Sequence, residues 1–388
     1  MTHLSRPYCR WLLVALAVWF PAAAAQALEN VTVVLKDGDQ PQDLSGEALV
    51  KAQDGGMLLK CPDGALYLLP PEKIRRRTTD SKPLAMLNRE ELTAKLLAEL
   101  PPGFQVHQSK NYIVCYNTTR TYAEWTSSLL ERLQDAFVAY WKKQGCQVKA
   151  PEQPLPVLVF GDQASYAQYA RPELGDAVGG VVGYYSIMSN RIVMYDLTGM
   201  QAVRQQETRR GSRRDISEML SHPVAEPLVA TIVHEATHQI SFNCGLQTRL
   251  VENPLWLSEG LAVFFETPDL SSSRNWSGIG KVNYPRWDRF RDNASAGRIV
   301  PLERLIGDDK LFSNPDTAVD SYAQAWAWNF FLIRWHPKEY AAYLKTLAAR
   351  PLLTPYPAKE RIAAFREHFG DNLRDLEEEF YRRMDRVK

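Results

Sequence analysis

His234-Glu235-Ala236-Thr237-His238 constrains this 388-residue chain more than any other stretch. It has the form HExxH and lies in an apolar-periodic run, with Val229, Ile232, Val233, Ala236 and Ile240 at helical spacing. Pro227 suits a first helical turn and Gly245 the position just past a helix end, so the spacing predicts a helix from about 226 to 243. Residues four apart stand on one helical face, one turn apart, which lets both imidazoles reach one zinc ion. The alternative is a helix carrying two satisfied surface histidines.

A catalytic zinc ion takes three protein ligands and keeps one position open. The segment Pro254-Leu255-Trp256-Leu257-Ser258-Glu259-Gly260 offers the third: Glu259 follows His238 with twenty residues between them. Ser241 and Cys244 stand where a histidine-rich continuation of the motif would need glycine and histidine. Glu252 and Glu266 are rival carboxylates. Glu252 precedes Asn253-Pro254, a helix-start signal, and reads as a loop or first-turn residue. Glu266 lies seven residues after Glu259 on the same helical face, suited to a place behind the ligands. The expected metal set is therefore His234, His238 and Glu259, with Glu235 as general base toward a zinc-activated water.

Three runs carry a resemblance: HEATHQ, then WLSEGLAVFFE, then Tyr322-Ala323-Gln324-Ala325-Trp326-Ala327. Together they resemble an uncharacterised bacterial zincin-like domain family over roughly residues 85 to 386. They are also distantly similar to the glutamate zincins typified by thermolysin and aminopeptidase N. The resemblance implies an α+β zincin fold: a mostly antiparallel sheet over the active-site helix, then a helical C-terminal subdomain. It carries His234 and His238 over as ligands, Glu235 as base and Glu259 as third ligand. A downstream tyrosine stabilises the oxyanion in aminopeptidase N, which implies that part for Tyr322; a packed core tyrosine is the plainer reading. The chain departs from the pattern twice. Val263 replaces the aspartate that thermolysin places four residues after its ligand glutamate, and the Gly-x-Met-Glu-Asn element of aminopeptidases is absent.

The start of the chain reads as a secretory signal peptide. Arg6 and Arg10 precede a ten-residue apolar run, Trp11 to Phe20, and small residues follow with cleavage expected near Ala25 to Ala27. The run is too short to span a bilayer, so the expected location is periplasmic or secreted. Removing those two arginines takes the formal charge from +1 to −1, which gives no support for nucleic-acid binding. Cys61, Cys115, Cys146 and Cys244 remain after cleavage; three pairings are open, and no CxxC spacing points to a cysteine metal site.

Residues 28 to 80 read as a small β module, SH3-like, with strands at Val31 to Lys36, Glu47 to Ala52, Gly56 to Cys61 and Ala65 to Leu69. It suits either a cell-envelope partner or a structural appendage. Arg75 to Ser81 reads as a linker to the metallopeptidase domain, 81 to 388. Helices are expected near Arg89 to Leu100, Tyr122 to Lys143, Asp320 to Trp335, Ala358 to His368 and Leu373 to Met384. Strands are expected near Asn111 to Tyr116, Pro156 to Phe160, Val181 to Ser186 and Arg191 to Leu197. The last is assigned the sheet edge, where an extended substrate could pair. Arg204, Arg209, Arg210, Arg213 and Arg214 fall in an expected surface loop or flap, and a polar stretch runs from 267 through Asn293.

These readings converge on an exported zinc-dependent peptidase acting on peptide or protein substrates. The rival from another class is a non-catalytic, zinc-stabilised binding protein of the cell envelope.

Overall fold

The structure is a computed structural model and describes residues 28–33, 41–199, 212–267, 276 and 278–387. The expected signal peptide, the end of the first expected strand and Arg204, Arg209 and Arg210 lie outside the described residues. The architecture is α+β, with two sheets in the N-terminal half and a large helical region after them.

Five antiparallel strands fall between residues 28 and 80: β1 (Leu28–Val33), β2 (Gln42–Lys51), β3 (Met57–Lys60), β4 (Leu66–Leu69) and β5 (Ile74–Asp80). Their order is β4-β3-β2-β1-β5, and the long β2 shifts register between Ala48 and Val50. Val31, Val33, Met57, Leu59, Cys61 and Leu69 form a small core of their own. The arginine run read as a linker is instead strand β5, paired along β1. Its place follows from Glu29, a buried acid in β1. Arg77 of β5 donates to both Glu29 oxygens (2.9 and 3.0 Å), and Lys51 of β2 adds an ion pair at 2.7 Å. A carboxylate taken out of water needs such partners, and the two neighbouring strands supply them.

The second sheet holds β6 (Gln105–Gln108), β7 (Tyr112–Tyr116), β8 (Leu155–Phe160), β9 (Gly183–Ser186) and β10 (Arg191–Tyr195), in the order β6-β7-β8-β10-β9. It is mixed rather than mostly antiparallel: β7, β8 and β10 run parallel, and only β6 and β9 oppose their neighbours. The chain returns between parallel strands through helices, α2 (Arg120–Lys143) from β7 to β8 and α3 (Gln163–Leu174) between β8 and β9–β10. Crossovers of that length permit parallel pairing where a tight hairpin does not. The expected edge strand is also displaced. All five residues of β10 are buried between β8 and β9, and the edge falls to β9.

Before this sheet comes α1 (Arg89–Glu99), closed at its start by an Asn88–Glu91 capping box. After it come α4 (Arg213–Leu220), α5 (Glu226–Asn243), α6 (Leu255–Phe265), α7 (Tyr284–Ser295), α8 (Leu302–Gly307), α9 (Lys310–Ser313), α10 (Ala318–Trp335), α11 (Pro337–Ala348), α12 (Ala358–Phe369) and α13 (Leu373–Met384). Helix α5 has the bounds its sequence predicts, with Pro227 in its first turn and Gly245 left-handed just beyond its end (φ 82°). It lies against β9 and β10 on one side and α6 on the other. Helix α7 was not legible in its polar stretch, yet Trp287, Phe290 and Asn293 give it a buried stripe. Arg213 and Arg214, expected in a loop, occupy the first turn of α4. None of the helices among the described residues is long and apolar enough to cross a membrane.

Candidate metal centre

Helix α6 is apolar apart from Ser258 and Glu259, and Trp256 through Phe265 are all buried. Its N-terminal backbone is held from outside: Asp309 accepts from the Leu255 N–H at 2.9 Å, and Arg361 pairs with Asp309 at 2.8 Å. Glu252, one rival ligand, pairs with Arg361 at 2.6 Å and accepts from the Tyr356 N–H, so it serves this clamp rather than a metal. On the far side α6 meets α10 closely at Gly260, over which Asn329 sits and donates to the Trp256 carbonyl at 2.9 Å. Glu259, beside that glycine, faces α5.

His234, His238 and Glu259 come together as the sequence predicts. Nε2 of His234 lies 3.2 Å from Nε2 of His238 and 3.2 Å from Oε2 of Glu259, and the third side of the triangle is 3.7 Å. All three residues are at most 9% exposed. The described residues thus hold a buried His/His/Glu cluster able to coordinate a metal ion. The spacing fits a small divalent cation. Bonds of about 2.0–2.1 Å in tetrahedral geometry set neighbouring ligand atoms about 3.3 Å apart. A set of two imidazoles and one carboxylate also suits zinc chemistry.

The charge around the cluster points the same way. Glu235, Glu259 and Glu266 surround two imidazoles, and all are buried. Burial alone pulls the His234 pKa down, but hydrogen bonds to Glu259 and Glu266 outweigh it and push it up to about 10. The site is therefore built to hold positive charge among its carboxylates, as a bound cation would provide.

Glu266, the other rival, stands behind the ligands. Its Oε2 lies 3.2 Å from Nδ1 of His234, and its Oε1 accepts from Asn283 (2.9 Å) and Arg286 (3.2 Å). Burial raises the Glu266 pKa, but Arg286, His234 and Asn283 bring it below the usual carboxylate range, so it is ionised and accepts. Asn283 and Arg286, at the start of α7, escaped sequence reasoning. The run Asn283-Tyr284-Pro285 is a helix-start signal that could have drawn attention to them.

Glu235 is one residue from His234 but outside the triangle. Its Oε2 accepts the backbone N–H of Tyr185, on β9, at 2.8 Å. Nothing in the sequence marks that donor, since every non-proline residue has one. Tyr322, in the first turns of α10, donates its hydroxyl to Oε2 of Glu259 at 3.2 Å. Phe312 meets its ring edge-on at 5.5 Å, and the Arg286 guanidinium lies 5.8 Å from its centre.

The four cysteines among the described residues take no part in the cluster. Cys61, Cys115, Cys146 and Cys244 are free thiols, and burial pushes those of Cys61, Cys115 and Cys244 up to about 12.

Comparison with curated proteins gives no match. Residues 228–354, from α5 through α11, match a family described as "Protein of unknown function (DUF1570)"; the matched span contains His234, Glu235, His238, Glu259, Glu266 and Tyr322.

Proposed function

We propose that this protein binds one divalent cation, zinc by its donor set, through His234, His238 and Glu259, and uses it to hydrolyse peptide bonds. The observation that carries this reading is the division of roles on α5. Two of its side chains close a triangle with Glu259, while Glu235 stays outside it and is held by the Tyr185 N–H. A site that served structure alone has no need of such a carboxylate and is more often closed by four side chains.

When bound, a cation of this class supplies Lewis acidity toward water and a substrate carbonyl. Glu235 takes the proton from the attacking water and returns it to the leaving amine, so the C–N bond breaks with no net proton change. In this reading Tyr322, whose hydroxyl bonds the ligand carboxylate, donates toward the oxygen that gains charge during attack. An extended peptide would pair along β9, the edge strand beside Glu235. The same reading makes the fold a zincin variant and residues 1–27 a signal peptide that sends the protein out of the cytoplasm.

Metal binding is the part the cluster supports most directly, and it is shared with a second reading: a non-catalytic, metal-stabilised binding protein of the cell envelope. Burial favours that reading, since Glu235 is only 4% exposed and the ligands are similarly enclosed. One experiment separates the two. Bound metal and cleavage of a peptide library are measured for the mature protein and for Glu235→Gln and His238→Ala. The hydrolase reading expects one metal per chain in the first two, none in His238→Ala, and cleavage reduced about 10²–10⁴-fold by Glu235→Gln. Stoichiometric metal without cleavage of any library member would favour the binding protein.

A further inference from the structure

The turn between β3 and β4 is built into the body of the protein. Within it, Cys61 and Ala65 pair through their backbones and Gly64 adopts a left-handed φ of 79°. The Leu66 N–H donates to the Met188 carbonyl at 2.8 Å, and Gln153 donates to the Pro62 carbonyl at 2.8 Å. Arg249, on the loop after α5, spans the junction. One guanidinium nitrogen donates to the Gly64 carbonyl at 2.8 Å and the other to the Ile187 carbonyl at 3.2 Å.

Ile187 and Met188 belong to the turn that joins β9 to β10. Asn190 ends that turn at a φ of 61°, accepts from the Tyr185 hydroxyl at 2.8 Å and exchanges amide hydrogen bonds with Asn243 of α5. The Tyr185 ring stacks on Phe242 at 5.9 Å, and its N–H meets Glu235. A four-residue edge strand with one neighbour holds itself in place poorly, and its turn is where fraying begins. Here the turn is tied down by residues from outside the sheet.

We propose that the N-terminal β module is a positioning element of the metal centre: through Arg249 and the Leu66–Met188 bond, its turn holds the β9–β10 turn and so holds the Tyr185 N–H against Glu235. The module is then a brace, and its Pro62–Leu66 end is committed to the body rather than offered to a partner.

The test uses the full mature chain with Arg249→Met, which keeps the apolar stem and removes both donors. Amide exchange is followed at Tyr185 and, as a control for global opening, at Phe331 in the buried α10. Tyr185 should exchange at least about tenfold faster, the factor expected for losing a charge-assisted hydrogen bond, with Phe331 unchanged. Bound metal should stay at the wild-type level. The kinetic arm rests on the hydrolase reading: turnover should fall by a similar factor while KM moves less than about twofold. If Arg249→Met does not fold, Arg249→Gln, whose shorter amide cannot span both carbonyls, should show the same change in smaller degree. Tyr185 exchange at the wild-type rate, or acceleration only in step with Phe331, overturns the proposal. A wild-type protein that cleaves nothing removes the hydrolase reading and leaves the exchange result to decide the brace.

Discussion

Nδ1 of His234 and Oε2 of Glu266 lie 3.2 Å apart, which settles the histidine's orientation. An ionised carboxylate only accepts, so Nδ1 keeps its hydrogen and Nε2, which faces His238 and Glu259, is the nitrogen a cation would take in place of its proton. Asn283 and Arg286 hold the carboxylate in turn. A carboxylate behind a ligand histidine raises its basicity and restricts its ring.

Glu266→Ala should therefore weaken metal binding about 10–100-fold while leaving one site per chain. Competition with a chromophoric chelator measures this directly. Wild-type affinity in the variant would show that His234 is oriented by packing alone.

Gly260→Ala should destabilise the protein. Alanine favours helix over glycine by about 1 kcal/mol. That gain is outweighed, because the new Cβ would lie 2.7 Å from the Ala325 carbonyl and nearer still to the Asn329 amide. Overpacking of this kind costs about 1–3 kcal/mol, and α6 and α10 can relieve it only by moving apart. A lower melting temperature is expected, with weaker metal binding because Glu259 is the adjacent residue. An unchanged melting temperature would mean the two helices are not held at the observed distance.

Tyr322→Phe should lower turnover more than substrate affinity. Losing one donor to a developing oxyanion costs about 10²–10³-fold in favourable cases. The ring contacts with Phe312 and Arg286 remain, so the melting temperature should hold. Steady-state kinetics on a cleaved peptide decides the matter. An unaltered turnover number would confine the hydroxyl to its bond with Glu259.

Acid should loosen the β module through Glu29. Its hydrogen bond from Arg77 holds the carboxyl down at about 2, against 4.5 for a free glutamate. A depressed folded pKa contributes stability above the unfolded value and loses it as pH falls toward the folded one. The loss should thus develop between about pH 4.5 and 2. Denaturation followed over this range should show a shallower slope for Glu29→Gln than for the wild type; equal slopes would place the acid sensitivity elsewhere.

Periodicity and spacing made much of the local structure legible. Helices α5 and α13 have their expected bounds, and α2, α10, β7 and β8 differ from theirs by one or two residues, because apolar repeats and Pro or Gly punctuation act over a few residues. The HExxH spacing named two members of the cluster, and Glu259 followed from its distance along the chain. What the sequence concealed was long-range. Whether β10 or β9 takes the edge depends on which strand the crossover through α3 delivers beside β8. The arginine run of β5 read as a linker because Glu29, the partner of Arg77, lies 48 residues away. Glu266, Asn283 and Arg286 meet only after α7 folds back over the end of α6, and the Tyr185 N–H reaches Glu235 only once β9 lies along α5. The sequence by itself thus determined which side chains could bind a metal, since that depends on residue type and helical spacing. Tertiary structure alone decided what orients them, because those partners come from elements far apart in the chain and include backbone groups that no residue type announces.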